Sequence, residues 1–292
     1  MIQKLLAAAG FAVLAAAPVA ALADAPIPIV AAENFYGDIA AQVGGDHVAV
    51  TSVLNNPDQD PHLFEASPSI SREIAAAKIV IFNGADYDPW VAQMLAANQA
   101  PGRAVIVAAD LVHRRAGDNP HLWYDPPTMP AVAAALAARL IAIDPAHQAD
   151  YQARLQTVQA SLKAIADKAA ALRAKYAGAP VTASEPVFGY MADALGLSMR
   201  NQRFQLSVMN DTEPSARDTA AIESDLKNHK VKVFFYNSQV TDPLTDRLLK
   251  LANQGNVPVV GVSETEPGGK GFVDWMMDQL DATAKALAGP ST

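Results

Sequence analysis

Residues 144–178 read DPAHQADYQARLQTVQASLKAIADKAAALRAKYAG, and this stretch decides how the rest of the chain is arranged. Asp144 suits an N-cap, Pro145 the first helical position and Gly178 the stop. Between them Tyr151, Leu155, Val158, Leu162, Ile165, Ala169, Leu172 and Tyr176 recur at spacings of four and three. That is one apolar stripe on a single helix of about nine turns, roughly 50 Å long at ~1.5 Å per residue. The same spacing also fits a coiled-coil seam between two copies. The flanking sequence favours a strut within one chain, because similar β-rich runs stand on both sides of it.

Ahead of the helix the runs are PIPIVAAE (26–33), HVAVTSVL (47–54), AKIVIFNG (77–84) and AVIVAAD (104–110). After it come PVTASE (180–185), VKVFFYN (231–237) and VPVVGVSE (257–264). These are continuous Val/Ile runs, as expected of parallel strands covered on both faces, and helical stretches separate them. The expected fold is α/β: two lobes, each a mostly parallel open sheet flanked by helices, joined by one long rigid helix. The boundaries are residues 24–143 for the first lobe, 144–178 for the connecting helix and 179–292 for the second lobe. Lobes tied in this way should close only slightly on a ligand.

The first residues set the compartment. Lys4 precedes an uncharged run, LLAAAGFAVLAAAPVAA, that ends in Ala21-Leu22-Ala23, the pattern of a secretory signal peptide spanning residues 1–23. A membrane anchor fits less well, because the run is short, Ala-rich and broken by Pro18. The chain has no cysteine, which rules out a thioether lipid anchor, disulfides and thiolate metal sites. Removing residues 1–23 takes away one lysine and no acid, moving the net charge from −8 to −9. The expected product is an acidic monomer in the periplasm, with neither nucleic acid nor anionic membrane as its partner.

The polar residues collect at strand ends. His62, in DPHLFEASP (60–68), follows the second strand, and His121, in NPHLWYDP (119–126), follows the fourth. Glu185 ends PVTASE and Glu264 ends VPVVGVSE. Ligands of open α/β sheets gather beyond the carboxyl ends of the strands. Two imidazoles and two carboxylates form a suitable shell for a divalent transition ion. Alone, each histidine reads as a packing residue in its loop. The repeated Asx-Pro-His-Leu setting, stiff before the histidine and followed by a helix start, favours a ligand pair. Glu185 could instead be a first-turn helix acid, and Glu266 competes with Glu264 if strand alternation continues past the strand. Glu264 is preferred as nearer the strand end. His47, His113, His147 and His229 lack that loop setting; His113 is close enough in sequence for outer-shell support but reads rather as a solvated loop histidine.

DPHLFEASP, NPHLWYDP, SEPVFGYMADALG (184–196) and GVSETEP (261–267) resemble, in order and spacing, the metal-binding solute-binding proteins of bacterial zinc/manganese ABC transporters. FQLSVMNDTEPSARD (204–218) is similar to that family as well, without an assigned ligand. The resemblance covers the mature chain. It implies a metal held between two lobes by His62, His121, Glu185 and Glu264, a membrane ABC permease as partner, no organic cofactor and no catalysis. Two departures stand out. Residues 63–120 contain no His- and acid-rich loop of the kind many zinc-specific members carry, and the third ligand is Glu185 where others have His. Carboxylate in place of imidazole suits the harder manganese ion, whereas zinc binds such sites more tightly.

Two other functions compete. A secreted metallohydrolase would keep one coordination position open, but the chain has no HExxH. An exported binder of an organic solute could stack it on Trp90, Trp123 or Trp275, residues that more often anchor cores. PGGKGF (267–272) lacks the P-loop spacing, and GxSxG is absent from the sequence.

Overall fold

The computed structural model describes residues 25–57, 61, 64–240 and 242–289. The expected signal peptide and His62 lie outside the described residues. In the first half β1 (Ile27–Glu33), α1 (Asn34–Gly44), β2 (Val48–Leu54), α2 (Pro68–Ala76), β3 (Ile79–Phe82), α3 (Pro89–Ala97), β4 (Ala104–Val107), α4 (Ala108–Leu111) and α5 (Thr128–Ile143) alternate. The connecting helix is α6 (Gln148–Tyr176). Then follow β5 (Pro180–Ala183), α7 (Gly189–Ala194), β6 (Ser198–Met199), α8 (Gln202–Met209) and α9 (Ala216–Lys227). The chain continues through β7 (Val233–Asn237), α10 (Pro243–Gln254), β8 (Val259–Val262) and α11 (Phe272–Ala288).

The two halves repeat one topology. Each holds a four-stranded parallel sheet, ordered β2-β1-β3-β4 and β6-β5-β7-β8. All seven expected strands form. The eighth, β6, has only two residues, too short to leave a pattern. The expected run 104–110 is strand only to Val107, after which α4 begins. No helix among the described residues is long and apolar enough to cross a membrane.

Every residue of the 4-3 stripe on α6 turns inward. Tyr151, Val158, Leu162, Ile165, Ala169 and Leu172 are buried, with Leu155 and Tyr176 packed against them. The helix lies on α1 and α5 of the first lobe and on α7 and α11 of the second. Its start differs from expectation: Pro145–His147 form a separate 3-10 turn, and α6 begins at Gln148. Asp144 is drawn instead into hydrogen bonds from the Tyr151 hydroxyl (2.7 Å) and the His147 ring (2.6 Å). At the far end Gly178 takes a left-handed φ of +81°, the conformation expected of a helix stop.

A single apolar cluster runs from Ile29 and Ile81 in one sheet to Val181 and Phe235 in the other. An aromatic chain crosses within it: Phe35 on Trp123 (4.8 Å between ring centres), Tyr124 on Phe188 (5.3 Å), and Phe188 on Phe235 (4.5 Å). Trp123 and Trp275 are core residues, and Trp90 packs on Phe64. Removing buried Leu162 should therefore loosen both lobes at once. Leu162→Ala is expected to lower unfolding free energy by about 2–5 kcal/mol in urea titrations. A loss near zero would mean that α6 is not packed as described.

The carboxyl edge of the first sheet carries a buried acid pair. Glu33 ends β1 without exposure, and Asp88 accepts hydrogen bonds from the backbone N–H of Asn83 (2.6 Å) and Gly84 (2.8 Å). Burial, followed by the neighbouring Asp88 charge, pushes the Glu33 carboxyl well above its ordinary range, and burial raises Asp88 to about 6. The unfolded chain releases these protons near pH ~4, whereas the folded chain keeps them to higher pH. Unfolding thus releases protons between about pH 4 and 6, and stability falls as pH rises through that window. Glu33→Gln should raise the melting temperature of metal-free protein at about pH 7 and leave it unchanged at about pH 4. Equal shifts at both pH values would contradict the raised Glu33 carboxyl.

Candidate functional site

The carboxyl ends of the two sheets meet, and His121, Glu185 and Glu264 lie along that seam. His121 follows α4 through a loop and leads into a 3-10 turn over Leu122–Tyr124. Its imidazole is fully buried. Its Nδ1 lies 2.6 Å from the Asn119 Oδ1. The Asn119 amide is oriented independently, since its Nδ2 donates to the Pro186 carbonyl at 2.8 Å. The oxygen facing His121 can only accept, so Nδ1 carries a proton and Nε2 is the nitrogen turned toward the seam. That Nε2 lies 3.5 Å from Glu264 Oε2.

Glu185 and Glu264 approach the seam from the second sheet, although the donor atoms of His121, Glu185 and Glu264 do not all lie within 4.8 Å of one another. Glu185 stands just beyond β5, and Glu264 two residues beyond β8, both buried. The Asn237 amide lies between them, its Nδ2 donating to Glu185 Oε2 (3.2 Å) and to Glu264 Oε1 (2.6 Å). Asn237 ends β7 and is itself held, its backbone N–H on the Ser184 hydroxyl (3.1 Å) and its Oδ1 accepting from the Gln239 N–H (3.1 Å). Gln239 Oε1 accepts the backbone N–H of Glu264 as well. Three strand ends are thereby fixed around two carboxylates.

Tyr87 completes one wall. Its ring contacts Trp123 and His121 edgewise, at 5.0 and 6.2 Å between centres. Burial, then the Glu264 and Glu33 carboxylates, push its hydroxyl well above the ordinary range.

Glu266 goes elsewhere. Strand β8 ends at Val262, so strict alternation does not carry on to residue 266. The Glu266 backbone is clamped by Asn34, which accepts its N–H (3.0 Å) and donates to its carbonyl (2.8 Å). Burial and then the Asp38 charge raise its carboxyl to about 8. His62 lies outside the described residues. Nearby in sequence, Pro61 and Phe64 line a small cavity together with Asn55, Asn56 and Thr265, which follows Glu264. His113 is exposed, and His229 is exposed with its ring on the Gly255 carbonyl (3.0 Å).

Sequence reading missed Asn119 and Asn237, the residues that orient the site. A signal existed: IVIFN and VFFYN each end in asparagine, and β3 and β7 occupy the same place in their sheets. Asn83, just past β3, donates to the Pro120 carbonyl (2.8 Å) beside His121, as Asn237 donates to the two glutamates.

The seam is closed by bonds between the lobes. The Tyr124 hydroxyl donates to the Ser263 carbonyl (3.1 Å), the Tyr190 hydroxyl to the Asn119 carbonyl (2.8 Å) and the Phe272 N–H to Asp38 Oδ2 (2.9 Å). Such a site can hold a small cation between fixed walls; it offers no room for a sugar-sized solute on Trp123 or Trp275, which are core.

Known proteins resemble this chain over most of its length. The chain is 27% identical over 253 residues to the high-affinity zinc uptake system protein ZnuA of Bacillus subtilis (strain 168), covering 78% of this chain and 77% of that protein. It is 22% identical over 247 residues to the manganese-binding lipoprotein MntA of the same strain, covering 80% and 78%. The solved structure of the periplasmic zinc binding protein TroA from Treponema pallidum shares the fold, with a TM-score of 0.73 at 18% identity over 90% of this chain and 99% of that one. Residues 29–286 match the family described as ZnuA, zinc-uptake complex component A periplasmic, and the chain belongs to that family.

Proposed function

We propose that this protein is the extracytoplasmic solute-binding component of an ABC importer, capturing one divalent transition metal ion between its lobes and delivering it to a membrane permease. The ligands are His62, His121, Glu185 and Glu264. The observation that carries this reading is the approach of His121 Nε2 to Glu264 Oε2, at 3.5 Å, from opposite lobes and in full burial. Glu185 is joined to Glu264 through the Asn237 amide. Buried carboxylates are costly in a low-dielectric seam, and a divalent ion between them supplies compensating charge.

Four protein ligands fill a shell and leave no open position for an activated water, which supports binding rather than catalysis. Two carboxylates beside two imidazoles suit manganese, and zinc competes for the same donors with higher intrinsic affinity. The sequence of residues 1–23 supports export to the periplasm, where a monomer meets its permease. The shared core and the α6 strut support lobes 24–143 and 179–292 that move little as the ion enters.

Calorimetry and Mn/Zn competition test the assignment. His121→Ala and Glu264→Gln should each weaken metal binding by more than about 100-fold, and Asn237→Ala by about 10–100-fold, as outer-shell losses do. Glu266→Gln should leave affinity unchanged, and Glu185→His should tilt selectivity toward zinc. Wild-type affinity in His121→Ala and Glu264→Gln, with folding intact by circular dichroism, would overturn the site.

A further inference from the structure

His47 and His147, which lack the loop setting of His62 and His121, come together although they are 100 residues apart in the chain. His47 ends a 3-10 turn (Gly45–His47) between α1 and β2, and His147 ends the turn between α5 and α6. Their rings lie nearly parallel, 3.9 Å between centres with 26° between planes. Asp144 joins them: one ligand atom from each of His47, Asp144 and His147 lies within 4.8 Å of the other two, and all three residues are half-buried. Among the described residues this is the one such trio. It sits at the amino-terminal end of β2, whereas the seam between the lobes lies beyond the carboxyl ends of the strands.

We propose that His47, Asp144 and His147 form a second transition-metal site on the outer surface of the first lobe. The carboxylate is already positioned, since Asp144 Oδ2 accepts from the Tyr151 hydroxyl (2.7 Å) and lies 2.6 Å from His147 Nδ1. Asp150 lies 3.2 Å from His47 Nε2 and can enter as a fourth ligand. Bonds of about 2.0–2.2 Å require donors closer together than the present spread, a closure that small rotations of two half-exposed rings provide. The Arg154 guanidinium packs over Gly45 in the same turn, and the carboxylates of Asp46, Asp144 and Asp150 outnumber it. Two imidazoles and carboxylate select a borderline ion such as Zn2+, Ni2+ or Cu2+ over Mn2+. Bound there, the ion ties the turn before β2 to the base of α6.

This assignment stands apart from the inter-lobe reading, and the test separates them. Untagged mature protein is titrated with Zn2+ by calorimetry and equilibrium dialysis, as wild type, His121→Ala, His147→Ala and the double variant; His47→Gln serves as a milder second probe. Wild type should bind two equivalents, and His147→Ala and His47→Gln should each lose one. His121→Ala should keep the outer equivalent, and zinc should raise its melting temperature but not that of the double variant. Imidazole NMR signals of His47 and His147 should shift with the outer equivalent, and Mn2+ should leave that site empty. Wild-type zinc stoichiometry in both His147→Ala and His47→Gln would overturn the outer site. Loss of the inter-lobe equivalent alone in His121→Ala would leave it standing.

Discussion

Two glutamates that share one asparagine amide hold this structure's polar centre together. Glu185 and Glu264 arrive from different strands, and like charges brought together in a buried seam repel. Asn237 Nδ2 donates to both, and His121 faces Glu264 from the other lobe. Everything nearby fixes that geometry. Ser184 and Gln239 hold Asn237 and Glu264 by their backbones. Asn119, bound to the second lobe through the Pro186 carbonyl, holds a proton on Nδ1 of His121.

This arrangement needs lobes that do not drift, and the rest of the fold supplies them. One apolar cluster spans both sheets, α6 packs on helices of both lobes, and aromatic rings run from Phe35 to Phe235 beneath the seam. A donor set held in place loses little conformational freedom when an ion arrives. The opposite design, two lobes on flexible strands closing like jaws, would hinge on a thin waist; a shared core works against that motion.

Much of this was legible in the sequence. The 4-3 stripe from Tyr151 to Tyr176 gave the strut because every member is buried or packed, and the Val/Ile runs marked all seven longer strands. His121, Glu185 and Glu264 could be placed because parallel α/β sheets gather ligands beyond strand carboxyl ends. What stayed hidden has a physical reason in each case. Strand β6 is too short to show a period. The turn at Pro145–His147 arises because Tyr151 and His147 engage Asp144, and such a tertiary contact leaves no trace in local spacing. Glu264 is preferred over Glu266 in the sequence only for its nearness to the strand end, because alternation predicts facing only while the strand lasts. Asn119 and Asn237 act through hydrogen bonds to distant loops, and the pairing of His47 with His147 depends entirely on the fold.

Anomalous diffraction at the manganese edge, from crystals of the mature protein loaded with Mn2+, tests the central claim most directly. One peak should lie in the seam, at bonding distance from His121 Nε2 and from carboxylate oxygens of Glu185 and Glu264, with the His62 imidazole as the remaining protein donor. A seam without a peak, or a peak coordinated by Glu266 and Asp38 in place of Glu264, would contradict it.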